Sequence, residues 1–358
     1  MDLLGEEMFE EKTILITGGT GSFGQKFVET ALSRFRPRKI IVYSRDEYKQ
    51  YQMQRRFSRY QDQLRFFIGD IRDRQRLCRA LEGVDYVIHA AAFKQVPAAE
   101  YNPFEAVKTN ILGTQNLVEA AIDKGIKKVV ALSTDKAVNP INLYGATKLA
   151  MEKIVVAGEN YSGRKDITFC VVRYGNVLGS RGSVLPYFLE LKQKGQKTFP
   201  ITDPRMTRFW ITLEEAVELV LFALDKAVGG EIFVPKIPSM KIVDLARALC
   251  PDCCFEVVGI RPGEKLHETL ISEDEARSTH DLGKYYAILP QFVFRRKGLL
   301  ERYQSFPKVE EGFSYRSDTN DWWLSEEELR AILARQFGEA IWSPMAGNLL
   351  TSRMWLAS

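Results

Sequence analysis

Residues 11–24 read EKTILITGGTGSFG. Ile14, Leu15 and Ile16 form the short apolar run that a buried parallel strand carries. Gly18, Gly21 and Gly24 follow at once, and Gln25 to Arg34 then takes up a helical pattern. Glycines at that spacing are weak evidence alone. Placed between a strand and a helix they carry more weight, because that order turns backbone N–H groups toward a pyrophosphate at a helix N-terminus. Gly18, Thr20, Gly21, Ser22, Phe23 and Gly24 are therefore expected to hold a dinucleotide.

The alternation repeats downstream. Residues 39–46 (KIIVYSRD), 64–73 (LRFFIGDIRD), 84–93 (VDYVIHAAAF), 127–134 (KKVVALST) and 167–176 (ITFCVVRYGN) are apolar runs that end in polar or small residues. Helical segments are expected between them at 52–63, 74–81, 103–124 and 146–157. This pattern predicts an α/β fold with a doubly wound parallel sheet, whose ligands bind outside the carboxyl ends of the strands.

The strand ends repay individual reading. Ser44 and Arg45 stand where an NAD-preferring site usually places Asp or Glu. With Lys49 one turn on, they suit a 2′-phosphate and favour NADP over NAD, Asp46 being the discordant neighbour. Asp70 and Ile71 are placed to face an adenine, and Ala90 and Ala91 are small where backbone must pass close to the cofactor. Lys94 fits either the surface or the cofactor loop.

Beyond Gly175-Asn176 the chain is richer in Pro, Gly and Arg and connects less regularly. A nucleotide-binding domain is expected over 10–175, with 212–252 returning to it. A smaller C-terminal α/β substrate domain is expected over 176–211 and 253–341. Ser325 and Glu328 read as a capping box for a last helix, and 342–358 has no pattern.

Bulk composition is that of a soluble globular protein. The 358 residues are 45% hydrophobic and 27% charged, with a mean hydropathy of −0.20. A net charge of +4 is too small to argue for nucleic acid. No apolar run approaches the roughly 18 residues of a membrane helix, and the acidic start MDLLGEEMFEEK lacks a signal-peptide core; a cytoplasmic protein is expected. Five cysteines without framework spacing are expected to be reduced, Cys250-Pro-Asp-Cys253 included. With three histidines and no zinc spacing, no metal is expected.

Residues 132–153, LSTDKAVNPINLYGATKLAMEK, hold the chemistry. Tyr144 and Lys148 lie a helical turn apart on one face, so that the ammonium is expected to lower the phenol pKa and make it a base. Thr134 can share the same substrate oxygen. A plain oxidation needs no more than this. Dehydration also needs a base for the proton beside a new ketone and an acid for the departing hydroxyl; a neutral Lys136 and a protonated Asp135 fit those roles.

This constellation resembles the extended, sugar-nucleotide-modifying short-chain dehydrogenases/reductases, which carry a Rossmann domain. Within them the chain is similar to the inverting UDP-N-acetylglucosamine 4,6-dehydratases of pseudaminic acid synthesis. TGGTGSFG, YSRDEYKQ, HAAAFKQVPAAEYNP, KTNILGTQN, RYGNVLGSRGSV, TRFWIT, IRPGEKLHETL and FSYRSDTNDWWL support the likeness from Thr13 to about Leu333.

The resemblance implies Lys136 as the C5 base and a tightly bound, recycled NADP, with Thr109 beside it. It implies a UDP-sugar held by Lys94, Thr134, Asn176, Ser183, Thr202, Arg208, Arg261 and Glu264. Arg208 and Arg261 would clamp the diphosphate bidentately, and Glu264 would meet the uridine ribose. A homo-oligomer is also implied. The competing readings are a UDP-sugar 4-epimerase, a C5-retaining dehydratase and a non-catalytic NADP-binding scaffold.

Overall fold

β1 (Thr13–Thr17) is buried along its whole length, as a strand covered by helices on both faces must be. β2 (Lys39–Ser44), β3 (Leu64–Ile68), β4 (Tyr86–His89), β5 (Lys128–Thr134) and β6 (Thr168–Tyr174) extend the sheet, every pairing parallel. The chain continues through β7 (Asn176–Val177), β8 (Thr198–Ile201), β9 (Thr207–Ile211), β10 (Ile232–Pro235), β11 (Ser239–Lys241) and β12 (Cys254–Val257). β13 (Thr269–Ile271), β14 (Thr279–Asp281), β15 (Tyr285–Ile288) and β16 (Tyr315–Arg316) complete the set. The computed structural model describes residues 6–163, 165–180, 182–292 and 298–342; the expected patternless tail, beyond Trp342, lies outside them.

Nine strands form one sheet in the order β14-β15-β10-β6-β5-β4-β1-β2-β3. The strand order reverses between β1 and β4, which is where a doubly wound sheet opens its ligand crevice. Helices Ser22–Arg34, Glu47–Arg56, Arg74–Ala80, Gly113–Lys124, Leu143–Tyr161 and Leu213–Lys226 link these strands. Two segments depart from expectation. The helix expected over 52–63 begins earlier, because the Asp46 carboxylate accepts from Lys49 N–H and caps it, and it stops at Arg56 before a short 3₁₀ turn at Ser58–Tyr60. The helix expected over 103–124 is broken by a π-turn at Lys108–Leu112.

A second, smaller core joins Leu185, Phe188, Trp210, Leu245, Leu249, Leu329 and Leu333. It brings together helices Val184–Gln193, Ile242–Leu249 and Glu326–Phe337, the last opened by the Ser325/Glu328 capping box. The lobes interleave more than the sequence implies. Residues 212–252 do not return to the large sheet as one piece: β10 buries all four side chains beside β6, but β11 pairs with β9, and helix Ile242–Leu249 buries its apolar face in the smaller core. Conversely, β14 and β15, expected in the substrate domain, join the large sheet antiparallel, and the fully buried β15 covers the β10 edge.

Cys250 and Cys253 were expected as thiols and form a disulfide. The turn after helix Ile242–Leu249 brings their Cα atoms to 5.4 Å, inside the range a disulfide spans. Cys78, Cys170 and Cys254 are free. Among the described residues no helix is long and apolar enough to cross a membrane.

Candidate active site

A groove of about 1100 Å³ runs along the carboxyl ends of the strands and under the smaller lobe. Every site residue expected from the sequence lines it except Asp135, which is fully buried behind Lys136.

At one end, Gly18 takes a left-handed φ of +66° and lies so near β4 that a Cβ would sit 2.8 Å from the Ala91 Cα. Only glycine lets the two turns meet there. Helix Ser22–Arg34 starts from Gly21 with no side-chain cap, so its first amides remain available to an anion, and the helix dipole favours one. The cradle therefore fits a pyrophosphate.

Beyond it, Ser44 is buried and its Oγ accepts from Gln50 Nε2. Arg45 lies 3.6 Å from Asp70, and Lys49 lies 2.9 Å from Asp46. Hydrogen bonds from Lys49 backbone and side chain hold the Asp46 carboxyl below its ordinary value. Both cations expected at a 2′-phosphate thus stand at the groove, each beside a carboxylate.

At the centre, Thr134 ends β5 and the chain turns through a 3₁₀ segment, Asp135–Ala137. The Thr134 hydroxyl donates to Asp135 Oδ1 at 2.8 Å, and Lys136 Nζ donates to the same oxygen at 2.8 Å. Lys136 also donates to Asn176 Oδ1 at 3.2 Å. Asp135 Oδ2 is buried without a hydrogen-bond partner.

Burial opposes the Lys136 charge, but Asp135 and Glu268 outweigh it and raise its pKa well above the ordinary lysine value. The resting pair is therefore an ammonium beside the Asp135 carboxylate, the reverse of the protonation expected from the sequence. The physical reason is the pair of carboxylates, Asp135 first at 2.8 Å and then Glu268 at 3.4 Å from Lys136 Nζ.

Helix Leu143–Tyr161 carries Tyr144 and Lys148 on its buried face, with Asn142 as its cap. Burial pushes the Tyr144 phenol up to about 12, against the lowering pull of Lys136 and of a hydrogen bond with Thr134. Lys148, expected to be the cation that lowers it, instead donates to the Leu132 carbonyl at 2.5 Å. Burial brings Lys148 down to about 8, with Glu152 opposing. His89 is structural: Thr17 and Thr114 bracket its ring, and burial lowers it to about 3.

The far end is built from the smaller lobe. Thr202 follows β8, Ser183 precedes helix Val184–Gln193, and the loop between β12 and β13 brings Arg261 and Glu264, paired at 2.6 Å. Arg208 does not offer the free fork expected of a diphosphate clamp. Its guanidinium donates to the Thr207, Leu266 and Lys265 carbonyls and to Met206 Sδ, with Glu268 3.8 Å from Nε. Lys265 and Glu268 also face the groove. The sequence reading quoted their motif, IRPGEKLHETL, but singled out neither; nothing short of three-dimensional contact with Lys136 marks Glu268.

The model of the family described as polysaccharide biosynthesis protein matches residues 14–290. The chain belongs to that family. Within it the chain is 54% identical over 333 residues, 91% of its length and 98% of the relative's, to a UDP-N-acetylglucosamine 4,6-dehydratase (inverting) of Campylobacter jejuni. It is 45% identical over 292 residues to a UDP-glucose 4-epimerase of Rickettsia typhi, covering 78% of this chain and 84% of that one. The X-ray structure of Pen from Bacillus thuringiensis superposes with a TM-score of 0.83 at 39% identity, covering 92% of this chain and 98% of the other. These findings bear out the sequence-based resemblance and the doubly wound α/β fold.

Proposed function

We propose that the protein is a lyase that removes water from UDP-N-acetylglucosamine across C4–C6 and inverts C5, giving a 4-keto-6-deoxy UDP sugar of L configuration. The observation that carries this is the Asp135–Lys136 pair, set 2.8 Å apart beside Thr134, with Lys136 on the groove shared with Tyr144 and Asp135 buried directly behind it. A 4-epimerase has no use for such a pair. The 54% identity to an inverting dehydratase supports the same reading.

NADP would be held by the Gly18–Gly24 cradle with Arg45 and Lys49 for its 2′-phosphate, and would supply a reversible hydride acceptor for the sugar. Tyr144, bonded to Thr134, takes the C4 hydroxyl proton as tyrosinate, the form that its raised pKa makes scarce but strongly basic. Transfer of one proton from Lys136 to Asp135, across their existing hydrogen bond, converts the resting ion pair into a neutral amine and a carboxylic acid. The amine then removes the C5 proton while the acid protonates the departing C6 hydroxyl, and the ion pair is restored. The Lys136 ammonium later returns a proton to C5. Over the cycle, the proton removed from the C4 hydroxyl replaces the one that left in water.

In this reading Arg261 meets the diphosphate, Glu264 the ribose, and Asn176 and Lys136 the sugar. The product suits pseudaminic acid or related surface-glycan synthesis, and the family likeness favours a homo-oligomer in the cytoplasm. The test is proton NMR of the purified protein with UDP-N-acetylglucosamine in D₂O. A 4-keto-6-deoxy product of L-arabino configuration with deuterium at C5 is expected. Conversion to UDP-N-acetylgalactosamine without loss of water would replace this reading with the epimerase.

A further inference from the structure

Glu268 lies immediately before β13, 132 positions from Lys136 in sequence, and its side chain is 3% exposed. Its backbone is fixed on both sides by one residue: Glu268 N–H donates to Ser317 Oγ at 2.9 Å, and its carbonyl accepts from Ser317 N–H at 2.9 Å. The carboxylate faces three cations. Oε1 lies 3.4 Å from Lys136 Nζ and 3.8 Å from Arg208 Nε, and Oε2 lies 3.6 Å from Lys265 Nζ. Oε2 is buried without a hydrogen-bond partner. A buried carboxylate held by charge alone is a poor source of stability, so its place beside the acid–base pair calls for another account.

We propose that Glu268 is a positioning residue that governs the proton on Lys136, sharing its ammonium with Asp135 from the opposite wall of the groove. The inference rests on the reading of Lys136 as the C5 base. The groups facing Lys136 are Asp135 from its own turn, Tyr144 from helix Leu143–Tyr161, Arg208 from β9, and Lys265 and Glu268 from the loop before β13. Asn176 adds an uncharged acceptor from β7. Asp135 both takes and gives a proton in the cycle, and so changes charge as the reaction proceeds. Glu268 stands outside that exchange.

Its effect is to favour the ammonium. That makes removal of the C5 proton harder and its return from Lys136 surer, so a strongly basic amine is still charged when the C5 carbanion equivalent must be quenched. Replacing the carboxylate with an amide removes one opposite charge within 4 Å, which lowers a lysine pKa by roughly one unit or more.

The test uses holoenzyme labelled with ¹³C at lysine Cε, the Lys136 resonance being the one absent from Lys136→Arg. Glu268→Gln is expected to bring the Lys136 titration midpoint down by about one unit relative to wild type. The alkaline limb of the dehydration rate, where the Asp135–Lys136 pair loses its proton, is expected to move the same way. Glu268→Asp, whose carboxylate draws back by one methylene, falls between the two and serves if the amide variant does not fold.

A Lys136 resonance that responds to pH identically in all three proteins overturns the proposal, even if turnover falls, because a merely structural role lowers the rate at every pH alike. The titration needs no turnover. If wild type epimerises UDP-N-acetylglucosamine instead of dehydrating it, the proposed function fails while the hold of Glu268 on Lys136 is still measured.

Discussion

Gly145, next to Tyr144, packs against the carbonyl oxygen of Lys136 so closely that a Cβ would overlap it. The helix that carries the phenol and the turn that carries the acid–base pair are thus seated on each other through a side chain that is absent. Gly145→Ala forces that turn outward while adding a good helix former. Turnover is expected to fall about 100-fold, the usual cost of misplacing catalytic groups by an ångström, with native circular dichroism retained. Full activity would show that the two elements tolerate separation.

Asp135→Asn keeps the shape of the pair and removes its proton acceptor. Water loss is expected to slow by roughly 10²–10⁴-fold. Tyr144 and Lys148 remain, so the first oxidation should survive. Absorbance of reduced nicotinamide should therefore accumulate on adding UDP-N-acetylglucosamine, where wild type shows only a transient. A variant that neither oxidises nor dehydrates would place Asp135 in the architecture instead of in the elimination.

The parts of this site that were legible in sequence are those built from contiguous chain. The Gly18–Gly24 turn, the Thr134–Lys136 triplet and the Tyr144/Lys148 helix face each follow from local spacing, and the structure brings them to one groove, with Asp135 buried behind Lys136. What the sequence concealed depends on distant partners. The Lys136 ammonium is held first by Asp135, its neighbour, and then by Glu268, a distant residue that no local spacing marks. The fork of Arg208 is spent on carbonyls of residues 207, 265 and 266. The lobe boundary was blurred because an apolar strand such as β10 or β15 does not announce which sheet it joins.

Arg45 is 59% exposed and, among the described residues, has Asp70 alone as an ion-pair partner, at 3.6 Å, so it can turn to a phosphate. Arg45→Ala is expected to reduce the preference for NADP over NAD by about tenfold, equivalent to the ~1.5 kcal/mol of one charge-assisted hydrogen bond. Binding titrations with both cofactors measure it. An unchanged ratio would mean that the site does not read the 2′-phosphate through Arg45.

Arg173 is fully buried on β6 and ties three elements together. It donates to both Glu152 carboxylate oxygens on the catalytic helix, at 3.0 and 2.7 Å, to both Glu275 oxygens, at 3.0 and 2.9 Å, and to the Leu270 carbonyl at 2.8 Å. Arg173→Met leaves Glu152 buried without its partner, and breaking such a pair costs about 3–5 kcal/mol. Urea unfolding should show that loss. A variant within about 1 kcal/mol of wild type would mean water or relaxation compensates the carboxylates.

Lys148 makes a prediction about pH. Folded, it titrates near 8 because burial penalises its charge; unfolded, it returns to the ordinary 10.5. Below pH 8 both states carry the proton and the folded protein bears the whole cost of the buried ammonium. Between these values the folded amine is neutral while the unfolded chain still binds a proton, so stability from this group rises with pH. Above the unfolded value the penalty is gone. Lys148→Met should therefore abolish catalysis yet stabilise the fold, on the order of 3 kcal/mol near neutral pH, with the advantage shrinking as the pH approaches 10. Urea midpoints of both proteins across that range decide it. An advantage independent of pH would mean that Lys148 titrates alike in the folded and unfolded chain, the Leu132 carbonyl and Glu152 fully offsetting its burial.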